Sequence, residues 1–141
     1  MTESASARIA IKGGEWDGWS NWPAEPFEMA AGPFFYRPGD EPVCAFRVTE
    51  KQLNAGGTGH GGCLMSFADF AIFALSEQLW LGRRAVTVSM NCDFLGPVRL
   101  GDLVEAKIKS VHATRTMIFV SAHAATGSRP VLSFNGIIKL I

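Results

Sequence analysis

The spacing of apolar residues changes character twice along this chain. Over residues 13–42, Trp16, Trp19, Trp22, Phe27, Phe34, Phe35 and Tyr36 sit among glycines and prolines with no fixed period. That stretch reads as an extended arm with one short helix before Pro33, its rings packing it onto the rest of the molecule. Residues 42–54 open with Val-Cys-Ala-Phe-Arg-Val-Thr, which predicts a strand, and a glycine-dense loop follows at 55–60. Residues 63–81 are then apolar almost throughout, predicting one long helix over about 61–80 that Gly82 stops. After Arg84 the period becomes two. Val86, Val88, Met90, Cys92 and Phe94 fall on one face, and Thr87, Ser89, Asn91 and Asp93 on the other. Further alternating strands are predicted at 104–109, 115–124 and 131–141, separated by the turn formers Gly96-Pro97, Gly101-Asp102 and Gly127-Ser128.

The order is therefore arm, one or two strands, one buried helix, then four strands on short connections. Short connections imply antiparallel pairing. An apolar helix with only a meander beside it must be wrapped by that sheet, because nothing else can cover it. The fold class is α+β, an antiparallel sheet around one long helix, with an arm at 1–41 and the domain proper at 42–141.

Length and composition sharpen this. The 141 residues suit one domain with a substantial core. Thirteen basic and thirteen acidic side chains cancel to a net charge of zero, which removes the footprint expected for nucleic acid or an anionic membrane. The apolar run at 63–81 is long enough to suggest a membrane span, but it carries Asp69 at its centre with Ser66, Ser76, Glu77 and Gln78. A centred carboxylate is costly in hydrocarbon, so a helix inside a water-soluble fold is the better reading. Cys44, Cys63 and Cys92 form no CxxC pair and no zinc pattern with His60, His112 or His123. Free buried thiols, no metal and a cytoplasmic location are expected, since no signal-peptide pattern opens the sequence.

Candidate chemistry centres on Asp69. Flanked by Phe67, Ala68, Phe70 and Ala71, it has no lysine or arginine within a helical turn. A carboxylate buried without a partner costs several kcal/mol or stays protonated, so its presence asks for a reason. Gly62, Ser66, Asp69 and Ser76 lie on nearly one helical face, which suggests a cavity wall. Upstream, Asn54 and the run His60-Gly61-Gly62 lead into the helix, whose first backbone N–H groups could polarise a carbonyl. The helical rise puts those groups roughly 10 Å from Asp69, too far for one carbonyl to meet both. If both act, they come from two chains related by a two-fold axis.

The joint spacing of Asn54, His60-Gly61-Gly62 and Ala68-Asp69 resembles the signature of hot-dog-fold acyl-CoA thioesterases, in the branch that holds the phenylacetate-pathway thioesterases. The string from Val86 to Asp102 is similar to that branch's strand after the helix, and the resemblance covers residues 42–141. It implies hydrolysis of acyl-CoA to free acid and CoA, with Asp69 as general base or nucleophile and the Gly61 amide of a partner subunit holding the thioester oxygen. Asn54 would position water or the carbonyl, His60 would orient the loop, and Thr87 would hydrogen-bond near the carboxylate. Gly62 and Arg99 fall where relatives approach the CoA moiety. No cofactor is implied beyond the CoA of the substrate, and the assembly implied is a dimer or a dimer of dimers. Two other classes stay open: a non-catalytic acyl-CoA-binding or regulatory protein on the same fold, and a hot-dog dehydratase, whose motif His60 and Asp69 do not resemble.

Overall fold

The structure is a computed structural model that describes residues 7–141. Its frame is an antiparallel eight-stranded sheet built from β1 (Ile9–Ala10), β2 (Ser20–Asn21), β3 (Phe35–Arg37), β4 (Val43–Arg47), β5 (Ala85–Phe94), β6 (Leu103–Ala113), β7 (Met117–Thr126) and β8 (Arg129–Leu140). The strand order is β1-β2-β3-β4-β6-β7-β8-β5. The helix α2 (Gly61–Ala74) lies against this sheet and is buried along Leu64, Phe67, Ala68, Phe70, Ala71, Ile72 and Ala74. This is the wrapped helix expected from the strand pattern, in the hot-dog arrangement that the family resemblance implies, and its core is the seam between α2 and the inward residues of β6, β7 and β8, among them Ile118, Val120, Phe134 and Ile138. The helix comes close because Gly136 faces it: a Cβ there would stand 2.6 Å from Ile72 Cδ1.

Several elements depart from the sequence reading. The helix is shorter than 61–80. It stops at Ala74, where the Ser76 hydroxyl donates to the Ile72 carbonyl at 2.5 Å and the Trp80 indole donates to the Phe73 carbonyl at 2.7 Å. Serine bonding back onto the preceding turn competes with the helix ladder, and the chain resumes as a separate turn, α3 (Glu77–Trp80). The strand expected over 42–54 is confined to β4, because Thr49 and Gln52 form a capping box that starts a 3-10 turn at Glu50–Gln52. Nor do the four late strands form one simple meander. β5 pairs with β8, so the link at 95–102 crosses to reach β6 rather than turning a hairpin.

The uniform apolar face expected for β5 is also broken. Its register against β8 slips between Thr87 and Ser89, leaving Val88 as the extra residue of a β-bulge. Before the slip Ala85 and Thr87 are the half-buried positions, while Val86 and Val88 are exposed; after it Met90 and Cys92 are half-buried. A polar residue of the expected outer face, Thr87, thereby turns inward.

The arm is extended with one short helix, α1 (Pro26–Ala31), as its aromatic and proline spacing predicts. Its three short strands lengthen the sheet beyond β4. Trp16 stacks on Phe35 with ring centres 4.0 Å apart, and Trp22 packs edge-on to Phe70 and against Trp80. The buried carboxylate of Glu77 accepts from Arg8 at 2.7 Å, and the Gln52 amide donates to the carbonyls of Ala31 and Gly32.

Candidate active site

Asp69 sits two turns into α2, flanked by the buried Ala68 and Phe70 but itself only partly covered. The inward turn of Thr87 at the β5 bulge brings its hydroxyl to Asp69, where it donates to Oδ1 at 2.6 Å. These two residues open onto a cleft of about 330 Å³ whose walls are Trp22, Phe70, Phe73, Trp80, Ala85 and Val86. Glu25 and Glu28 of the arm complete the lining. The other polar residues of the expected helical stripe go elsewhere: Ser66 donates to the Gly62 carbonyl at 2.8 Å, and Ser76 is buried in the helix break. The stripe is not one cavity wall.

The second cluster is at the start of α2. His60 is its N-cap, and His60 Nδ1 accepts the Gly62 N–H at 2.8 Å. The imidazole therefore satisfies one of the helix's unpaired donors. Among the described residues no acceptor takes the Gly61 N–H, which stays available at the positive end of the helix. Asn54 lies in the loop before it and spends its side chain there: Oδ1 accepts from the amides of Gly56 and Thr58, and Nδ2 donates to Thr58 Oγ1 at 3.0 Å. The glycine-rich loop is consequently well tied. His60 N–H reaches the Gln52 carbonyl at 2.7 Å, and Gly59 N–H reaches the Val98 carbonyl at 2.8 Å. A Cβ on Gly59 would lie 2.2 Å from Val98 Cγ2, so that close approach requires glycine.

Within one protomer the structure brings Thr87 to Asp69 and brings Asn54, His60, Gly61 and Gly62 to the helix start, but it leaves the two clusters at different levels of α2. Arg99 is exposed beside the loop, forming a bridge with Thr58 and donating its amide to Asp102 Oδ2.

The sequence profile of the thioesterase superfamily matches residues 56–132, a span that holds the helix start, Asp69 and Thr87. The chain belongs to the thioesterase superfamily. It is 37% identical over 120 residues to a Pseudomonas aeruginosa protein provisionally named an esterase, covering 83% of this chain and 90% of that one. Among solved structures it is similar to the phenylacetic acid degradation protein PaaI of Thermus thermophilus, solved as a point mutant, with 28% identity, a TM-score of 0.71 and coverage of 83% and 100%. The Escherichia coli PaaI protein matches with 26% identity, a TM-score of 0.71 and coverage of 83% and 85%. A Streptococcus pneumoniae thioesterase-like protein solved with coenzyme A shares the fold at 21% identity and a TM-score of 0.71, over 80% of this chain and 90% of that one.

For a member of this superfamily the arm is the part that sequence reasoning undervalued. Glu25, Glu28 and Trp22 join the cleft from residues that match no motif, and a glutamate three positions after another on a short helix ordinarily signals a solvated face. Burial pushes the Glu28 carboxyl up to about 8, with the negative charges of Glu25 and Asp69 adding to the effect. The cleft thus sets a carboxyl that holds its proton beside one fixed by a hydroxyl. Among the described residues no group of histidine, cysteine and carboxylate side chains gathers as metal ligands. Burial raises the thiols of Cys44 and Cys92 and pushes Cys63 up to about 11, which makes them poor nucleophiles. No described helix is long and apolar enough to cross a membrane.

Proposed function

We propose that the protein hydrolyses acyl-CoA thioesters to the free acid and CoA, with Asp69 acting at the thioester carbonyl. The observation that carries this reading is the 2.6 Å hydrogen bond from Thr87 to Asp69 Oδ1 in the wall of an aromatic cleft. A carboxylate held by one oxygen presents the other in a set direction. Asp69 Oδ2 then either takes a proton from the attacking water or attacks the carbonyl carbon itself. In the first route the tetrahedral intermediate expels CoA thiolate; in the second an acyl-aspartyl anhydride forms as thiolate leaves, and water opens it. Thiolate is a competent leaving group, so neither route needs strong acid assistance. The acyl group occupies the cleft beside Asp69.

Both routes build negative charge on the thioester oxygen. The Gly61 N–H, with no acceptor among the described residues and at the helix's positive end, is suited to meet it. Gly61 and Asp69 are eight positions apart on one helix, about 12 Å along the axis. The carbonyl served by one protomer's Asp69 is therefore served by the second protomer's Gly61, in a two-fold dimer with two equivalent sites. His60 fixes the helix start, Asn54 holds the loop that leads to it, and Arg99 with Gly62 borders the path for CoA.

The test is thiol release from a panel of acyl-CoAs. Wild type should release thiol, and Asp69→Asn should lower kcat by about 10²-fold or more. Thr87→Ala, which frees the carboxylate without removing it, should cost roughly tenfold. Equal rates for wild type and Asp69→Asn would remove Asp69 from the reaction. Tight binding without release would favour the regulatory reading.

A further inference from the structure

The cleft beside Asp69 is built from two kinds of wall. Trp22, Phe70, Phe73, Trp80, Ala85 and Val86 make it apolar, while its carboxyls are Asp69, Glu25 and Glu28. No lysine, arginine or histidine lines it among the described residues. Glu28 projects from α1, on the arm, and is half-buried; the arm thus contributes a polar group to the space where the acyl chain lies on the acyl-CoA reading. Purely apolar packing does not call for a glutamate at this position.

We propose that Glu28 is a specificity-determining residue that reads the charge at the far end of the acyl group, so that the enzyme takes acyl chains with neutral or cationic ends and rejects those ending in a carboxylate. This rests on the acyl-CoA thioesterase reading above. An acyl chain with an anionic end would bring its charge near the carboxylates of Glu25 and Asp69 and keep Glu28 protonated and unable to form an ion pair with it, with no cation in the walls to offset it; in a partly water-excluded cleft like charges repel more strongly than in water. An ammonium end meets the opposite field and favours the ionised form of Glu28, which releases its proton to water and pairs with the ammonium as a carboxylate. A neutral chain feels only the apolar walls. Desolvation alone would penalise both charged ends and give no reason for them to differ, so the sign of the discrimination separates the two causes.

The experiment uses three probes of one chain length: octanoyl-CoA, 8-aminooctanoyl-CoA and suberyl-CoA, the last ending in a carboxylate. kcat/KM is measured for each with wild type and with the near-isosteric Glu28→Gln. Kd is measured for the matching thioether analogues, and circular dichroism checks the fold. The ammonium-ended probe should exceed the carboxylate-ended one by about tenfold or more in wild type, and the ratio should contract by about fivefold or more in Glu28→Gln. Equal treatment of the two ends by wild type, or a ratio that survives Glu28→Gln, overturns the assignment. Absence of thiol release from every probe would instead overturn the hydrolase reading, while the analogue Kd values still score the charge preference.

Discussion

Glu28 holds its proton to about pH 8 in the folded chain, against an ordinary value of 4.5, chiefly because it is buried. The consequence for stability follows from its sign. Between those two values the native state keeps a proton that the unfolded chain has lost, so the native state binds more protons and stability falls as pH rises. The contribution is fully present below about pH 4.5 and gone once pH passes the folded value near 8. Glu28→Gln carries no such penalty, so its melting temperature should gain on wild type between pH 5 and pH 9. A constant difference across that range would show that Glu28 titrates normally. Asp69 was legible in the sequence because an acid in an apolar run has no structural excuse. Glu28 was not, because a glutamate on a short helix in an aromatic arm looks like any solvated surface residue, and only the fold buries it.

Elements show the same division. Hydrophobic period alone located α2, β7 and β8, since each buries one continuous face, while aromatic and proline spacing located the short helix before Pro33. What it could not locate were the places where a local bond overrules the period: the Ser76 hydroxyl ending α2, the Thr49–Gln52 box ending β4, and the extra residue at Val88. The last matters most for chemistry. Strict alternation puts Thr87 opposite Val86 and away from the helix, and the bulge is what delivers its hydroxyl to Asp69. Thr87 was expected near the carboxylate from family resemblance, not from its place in the period. The glycine loop makes a prediction at this scale too. Gly59→Ala forces a Cβ into Val98 Cγ2 at 2.2 Å, which should destabilise the fold by about 1–3 kcal/mol in denaturant melts and weaken the support of the helix start. An unchanged midpoint would mean that the loop shifts freely.

At the scale of the whole molecule, the sheet fixes one helix against its inner face, and that helix carries both features the proposed mechanism uses, its amino end and its mid-length acid. Rigid helical geometry keeps them about 12 Å apart, so the proposed mechanism requires two copies of the chain at each pocket. This can be tested by complementation. Gly61 is the first residue of α2 and His60 before it is extended, with φ −65° and ψ 134°; proline is therefore tolerated at position 61 and deletes only the N–H. Gly61→Pro and Asp69→Asn should each be folded and nearly inactive. Differently tagged and co-expressed, they should give a purified heterodimer with one intact pocket and about half of wild-type kcat per dimer. A heterodimer as inactive as its parents, or a wild-type enzyme fully active as a monomer, contradicts the shared site.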